Sequence, residues 1–200
     1  MNKCFFSLLT CAVLLNGCSA VGTSNQPSNV DKPIPVAAPQ ISDSDKQDYL
    51  DAINVARGNA QHCGTQGDFA ATTDLIWNDS LYKAAYEHDY DMAESGIING
   101  DHTGSNTDSD YTSKVQKLDH GSTIQERIEN NGYTSWSALG ENLTAGTTTD
   151  TPEKAVQAWL NSDHHCANLM NPDYKEVGLA HIEKAGTKYT HYWTQDFGAK

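Results

Sequence analysis

Apolar positions are unevenly spread along the chain, and their spacing changes from one stretch to the next. Phe5 to Leu15 is a nearly continuous apolar run, too short to span a bilayer. Residues 19–43 hold four of the six prolines, with Ser, Asn and Gln and no aromatic residue, so they cannot bury a core and read as a linker. From Ser44-Asp45 to Asn59 the spacing turns helical: Leu50, Ile53 and Ala56 or Arg57 share one side, and Gly58 weakens the end. A second helix is predicted over Asp79–Glu94, stopped by Gly96, with Leu81, Ala84, Ala85, His88 and Met92 on its inner stripe. Residues 104–122 are polar and show no period. Thr123 to Ile128 reads as a short helix closing at Gly132. Thr151-Pro152-Glu153 opens a third long helix, with Thr as cap and Pro in the first turn, burying Ala155, Val156, Trp159 and Leu160. Pro172 stops the helical stretch that follows. Glu176–Ile182 and Tyr189–Phe197 read as strands joined across Lys184-Ala185-Gly186. Helices against an antiparallel sheet predict an α+β domain over residues 44–200.

The N-terminal run ends in Leu15-Asn16-Gly17-Cys18, which resembles a bacterial lipoprotein signal. That resemblance implies a signal peptide over residues 1–17, cleavage before Cys18, lipidation of Cys18, and residues 18–43 as a flexible tether. The alternative is an ordinary signal peptide with an incidental cysteine. Ser19 in place of Asp favours the outer membrane of a Gram-negative envelope. A tether of 25 residues reaches roughly 25–30 Å. Processing removes Lys3 and no acid, leaving 12 basic against 26 acidic residues, a net charge of −14. So negative a field argues against nucleic acid and against docking on anionic lipid by charge, so membrane attachment rests on the lipid. Cys4 and Cys11 leave with the signal and Cys18 carries lipid. Cys63 and Cys166 remain, and in an oxidising envelope they read as one disulfide, with two buried free thiols as the alternative.

Five pieces stand out, in this order: Leu81 to Ala93; Asp101-His102-Thr103-Gly104-Ser105-Asn106; Gly140-Glu141-Asn142-Leu143; Trp159 to Pro172; and Tyr192 to Gly198. Together they resemble the CAP superfamily, also called SCP or PR-1-like, in its bacterial branch, over roughly residues 47–198. The resemblance implies a three-layer α-β-α sandwich with a central antiparallel sheet and a large cleft lined by histidines and acids that can hold a divalent metal. Carried over by position, His102, Glu141 and His165 are the matching residues. His164 stands where bacterial members often have Gly and is treated as a neighbour. The eukaryotic pattern's second acid would fall near Ser162 and its last histidine at Tyr192, so this chain departs from the full set. Asp163 is the carboxylate available to replace the missing acid.

Two neutral imidazoles and one carboxylate suit zinc with an open position, and zinc there would lower the pKa of a bound water. No His-Glu-x-x-His helix is present. The competing reading of His102, Glu141 and His165 is a polar network that holds the cleft together. Ser105 or Ser162 with these histidines has the residue types of a nucleophilic triad, though without a Gly-x-Ser-x-Gly elbow. His88 reads as a core histidine, Trp193 as core, and Thr194 and Gln195 as the cleft floor. About a dozen extra polar residues, roughly 107–120, either cover the cleft or form a surface insertion. Three functions follow as expectations: a module whose cleft binds a lipid, glycan or peptide; a metal-assisted hydrolase of envelope or extracellular polymers, with His102, Glu141 and His165 as catalytic candidates; and a structural or interaction protein with an inactive cleft.

Overall fold

The computed structural model describes residues 37–200; the signal-like segment, Cys18 and most of the predicted tether lie outside the described residues. The elements are α1 (Asp43–Arg57), β1 (Gln61–His62), a 3-10 turn (Gly64–Gln66), β2 (Asp68–Phe69), β3 (Ile76–Trp77), α2 (Asp79–Ser95), α3 (Tyr111–Gln116), α4 (Ile124–Asn130), β4 (Ala138–Gly146), α5 (Pro152–Leu160), α6 (Asp163–Leu169), β5 (Glu176–Glu183) and β6 (His191–Ala199). The helix ends follow local chemistry. Ser42 caps α1 by accepting from Asp45 N at 3.1 Å. Asn78 caps α2, whose C-terminus is closed by Gly96 at a left-handed φ of 71°. Thr123 and Glu126 form a reciprocal capping box on α4. Thr151 caps α5 with Pro152 in its first turn, as predicted.

The central sheet has the order β3-β5-β6-β4. Its long strands are antiparallel, β5 with β6 and β6 with β4, while the two-residue β3 joins β5 in parallel. The strand period of two sends alternate side chains to opposite faces. Val177 and Leu179 of β5 and Trp193 and Phe197 of β6 face a core built with Ile53 of α1, Trp159 of α5 and Leu169 of α6. Ala180 and Tyr192 face α2, against Ala85 and Met92. Gly178 is required on this face, because a Cβ there would collide with the backbone of Leu81 and Tyr82. Helices on both faces of the sheet make the predicted three-layer α-β-α sandwich.

Two elements differ from the sequence-based expectation. β4 was not predicted as a strand, because Glu141 and Asn142 are both buried polar residues and break the apolar-polar alternation. Residues 111–116, in the stretch without a period, form α3. The domain also begins before residue 44. Ala38 and Ile41 pack against the cluster of Tyr82, Ala85 and Ala180, and Tyr82 donates from its hydroxyl to Pro39 O at 3.0 Å. The end of the predicted tether is therefore docked on α2.

Candidate functional site: a cleft across the β4 edge

β4 is the edge strand of the sheet, and its neighbours in sequence Glu141 and Asn142 point to opposite faces. Glu141 lies opposite Asp196 and Asn142 opposite Gln195 on β6. Glu141 is fully enclosed. Its carboxylate accepts from Arg127 Nη2 at 2.9 and 3.2 Å and contacts His102 Nδ1 at 3.1 Å. His88 Nε2 approaches to 3.8 Å. Burial alone would raise the Glu141 carboxyl, but Arg127, with His88 and His102, holds it well below the usual carboxylate range. It stays an anion whose acceptor capacity is taken up inside the protein.

Arg127 comes from α4 and also donates to the backbone carbonyls of His102, at 2.9 Å, and Ser122. It therefore fixes both the carboxylate and the segment that carries the first histidine. His102 has a left-handed backbone, φ 65°, in a tight loop where Asn99 donates to Thr103 O and Gly104 O. A non-glycine residue held there marks a conformation imposed by its surroundings. With Nδ1–H directed at Glu141, the basic nitrogen left free is Nε2, on the opposite edge of the ring.

On the other face Asn142 Nδ2 donates to His165 O at 3.1 Å and to Gln195 Oε1 at 3.2 Å. Asn168 Nδ2 donates to Glu141 O and to Asn142 Oδ1, both at 3.0 Å, and Asn168 Oδ1 accepts from the Tyr174 hydroxyl at 2.8 Å. These amides bind the start of α6 to the strand edge. They bring His165 across from His102, with ring centroids 6.1 Å apart at 65°. Burial first, then His102 and His164, lower the His165 pKa, so its imidazole is neutral at neutral pH. The cleft between them has a volume of about 620 Å³. Gly100 and His102 line one side, and Ser162, His164, His165 and Asn171 the other. His164, read from sequence as a neighbour, also reaches this wall. A depression of about 750 Å³ between α1 and α5 has no convergent imidazoles.

Several predicted site residues lie elsewhere. Asp163 does not supply a second acid. Its carboxylate accepts from Thr65 N at 2.8 Å and Thr65 Oγ1 at 2.6 Å, which fastens α6 to the 3-10 turn. The reason is helical geometry: two residues apart on a helix means roughly 200° of rotation, so Asp163 and His165 face opposite ways. Ser105 is no nucleophile for His102, since its hydroxyl and N–H both bind Asp91. Ser162 lines the cleft, but among the described residues no hydrogen bond joins it to either histidine. The insertion at 107–120 does not cover the cleft. It folds as α3 with Asp110, Thr112 and Ser113 buried, and Thr112 N donates to Glu87 of α2 at 2.8 Å.

The metal set of His102, Glu141 and His165 does not fit as three direct ligands. Glu141 is enclosed and paired with a guanidinium, and a divalent ion beside it would face Arg127 as well. Among the described residues no group of three or more His, Cys, Asp or Glu is disposed to hold a metal ion. What fits a cation is the pair of imidazoles, with Glu141 orienting His102 from behind.

Beneath the cleft, on the α2 side, lies a polar layer that the sequence did not reveal as such. His88 is buried, as expected of a core histidine, but it sits beside Glu141 and its pKa is pulled down to about 3 by burial and by Arg127. Burial and Glu141 opposite raise the Asp196 carboxyl well above the usual carboxylate range, and Asp89, also raised by burial, accepts from Thr194 Oγ1 at 2.6 Å. The available signal was the density of ionisable residues on α2: Glu87, His88, Asp89 and Asp91 are all buried, Asp89 toward Thr194 and Glu87 and Asp91 toward the insertion.

Cys63 and Cys166 are joined in a buried disulfide, with Cα atoms 5.4 Å apart, that ties the region after α1 to the helix bearing His165.

Comparison with known proteins gives this geometry its relatives. The model of the cysteine-rich secretory protein family, CAP, matches residues 50–197. The chain is 36% identical over 66 residues to the uncharacterized protein YkwD of Bacillus subtilis (strain 168), covering 33% of this chain and 23% of that protein. It is 29% identical over 158 residues to the uncharacterized membrane protein YlbC of the same organism, covering 79% of this chain and 35% of that one. The chain thus spans between about a quarter and about a third of the length of these curated relatives. Its fold is similar to that of an extracellular protein containing an SCP domain from Bacillus anthracis str. Ames, with TM-score 0.55 and 22% identity over 82% of this chain and 45% of that one. With the family model spanning nearly all of the sandwich and every element of the cleft, the chain belongs to the cysteine-rich secretory protein (CAP) family.

Proposed function

We propose that this domain is an envelope-anchored binding module whose cleft takes a small portion of a lipid, glycan or peptide, with a divalent ion such as zinc seated on His102 and His165. One observation carries the reading: Glu141, held by Arg127, fixes the His102 ring from Nδ1, which leaves Nε2 basic beside an open cleft and opposite His165. Side chains fixed from behind in this way are pre-organised to bind rather than merely to pack. A bound ion would supply a Lewis-acid anchor for an oxygen of the ligand. Binding is favoured over hydrolysis because a hydrolase needs a free base near the ion. Glu141 is committed to Arg127, and Asp163 to Thr65.

The test is calorimetric titration of zinc into the wild type and into His102→Asn, His165→Ala and Asp163→Ala. Asn suits the left-handed backbone at position 102. One equivalent of zinc should be lost in each histidine variant and kept in Asp163→Ala, and it should weaken as pH falls, since imidazole ligates only when neutral. Identical zinc binding in the wild type and both histidine variants would leave an inactive cleft and favour an interaction protein.

Attachment rests on Cys18, carrying lipid after processing, in the outer membrane of a Gram-negative envelope. The Leu15–Cys18 pattern supports it, and so does the disulfide, which needs an oxidising compartment. Among the described residues no helix is long and apolar enough to cross a membrane. Cys18→Ser should leave an unprocessed or soluble protein. A processed variant that still fractionates with membranes, without fatty-acid label, overturns the anchor.

A further inference from the structure

A second pair of histidines lies away from the cleft, on the long hairpin. His181 of β5 stands opposite Trp193 of β6, and His191 lies diagonally from it, opposite Glu183. All three aromatic rings project from the same face. His181 Nε2 is 3.1 Å from His191 Nδ1, and the two rings are 5.3 Å apart at 22°. His181 also lies flat on Trp193, with centroids 4.0 Å apart at 14°. Trp193 is fixed in turn, donating from Nε1 to Thr149 O at 2.6 Å. The row ends at the rim of the sheet, where His181 is half-buried and His191 8% exposed.

We infer that His181 and His191 form a bidentate site for a divalent transition-metal ion, separate from the cleft. The spacing carries the inference. Two imidazole nitrogens on one four-coordinate ion, with bonds of 2.0–2.1 Å, stand about 3.3 Å apart. The pair is already within a few tenths of an ångström of that, on strands held by an antiparallel ladder from Glu176 to Glu183. Without metal, one proton is shared between the facing nitrogens. Metal binding moves it to the outer nitrogen of the ring that carried it, with no net loss of a proton, so that His181 is protonated at Nδ1 and His191 at Nε2. Burial and the neighbouring His191 also keep His181 neutral, lowering its pKa to about 4. Asp150 is the carboxylate whose field reaches both rings and favours a cation between them, although Lys154 pairs with it. Among the described residues two donors converge and no three-residue cluster is disposed to hold a metal, so the other positions are left to water. Imidazole donors and the ordinary order of divalent affinities favour Cu²⁺ over Ni²⁺ and Zn²⁺.

The experiment uses the processed chain without an affinity tag, carrying His102→Asn and His165→Ala so that the cleft cannot contribute. Cu²⁺ is titrated while tryptophan fluorescence is followed, since Trp193 lies against His181 and an ion there quenches it. Saturable quenching with one equivalent is expected, together with a rise in melting temperature as copper is added. Adding His181→Asn or His191→Asn should abolish both. Electron paramagnetic resonance of the same copper complex, which needs no further substitution, should show two equatorial nitrogens. The inference is overturned by an absence of saturable quenching, by quenching that survives in either added variant with unchanged midpoint, or by a spectrum without two nitrogens. Because the cleft histidines are already removed, failure of the cleft reading and failure of this one are told apart.

Discussion

Glu141 and Asn142 are consecutive on β4, and each holds one cleft histidine from its own face of the sheet. Glu141 Oε1 meets His102 Nδ1 at 3.1 Å, and Asn142 Nδ2 donates to His165 O at 3.1 Å. The strand's period of two lets adjacent residues do this. A slip of one residue in β4 would exchange their faces and separate the histidines.

Glu141 is an internal counter-ion as much as a cleft residue. Glu141→Gln should therefore destabilise the domain by about 3–5 kcal/mol, because it leaves the enclosed Arg127 guanidinium unpaired. Arg127→Gln should cost a similar amount by stranding Glu141. Urea unfolding of the two variants checks this, and a double variant whose loss is much smaller than the sum would confirm that they act as a pair.

His88 and Asp196 give the domain opposing responses to pH. The His88 pKa falls to about 3 in the folded state, from an ordinary value of about 6.5, so the unfolded chain binds more protons as pH drops through that window and stability falls. Asp196 is raised, so the folded chain keeps a proton that the unfolded chain releases above about 3.9, and its contribution falls as pH rises. Each slope is at most about 1.4 kcal/mol per pH unit. Relative to the wild type, His88→Gln should gain stability on acidification from about pH 6.5 to 4.5, and Asp196→Asn should lose it. Denaturant midpoints at three pH values in that window measure both, and parallel trends for all three proteins would refute the assignment.

The processed chain should show no free thiol on denaturation. Reduction of the Cys63–Cys166 bond, which closes a loop with a sequence separation of 103, should cost about 4–5 kcal/mol on the chain-entropy account. For a domain of this size that lowers the melting temperature by roughly 10–15 °C. It should also weaken cleft binding, since Cys166 follows His165 directly.

Asp110 should matter to the fold and not to the cleft. It is buried and accepts from the backbone N–H groups of Asn106, Ser113 and Ser122, so it organises the insertion and caps α3. Asp110→Ala should cost about 2–3 kcal/mol, measured by denaturant, and leave zinc titration unchanged.

What could be read from the sequence was what repeats with a period or pairs by residue type. The helices α1, α2, α4 and α5 carry apolar spacing and caps, and β5 and β6 alternate well enough to be found. The Cys63–Cys166 bond follows from counting, and His102, Glu141 and His165 converge as expected. The rest depends on partners far apart in sequence. Arg127 neutralises Glu141 only because α4 packs beside β4. The insertion was polar to the eye, yet Asp110 turns its polarity inward. Asp163 matches a metal acid by charge alone, and the rotation of α6 turns it away from His165 toward Thr65.

β6 is the final element of the domain in chain order, and it occupies the middle of the sheet, hydrogen-bonded to β5 on one side and β4 on the other. β4 has no long strand to lie against until residues 191–199 are present. Neither Glu141 nor Asn142 is then in place to hold its histidine. During synthesis the sheet cannot close until that stretch has emerged. A premature stop before position 191 would leave the first 190 residues with no sheet centre to fold around.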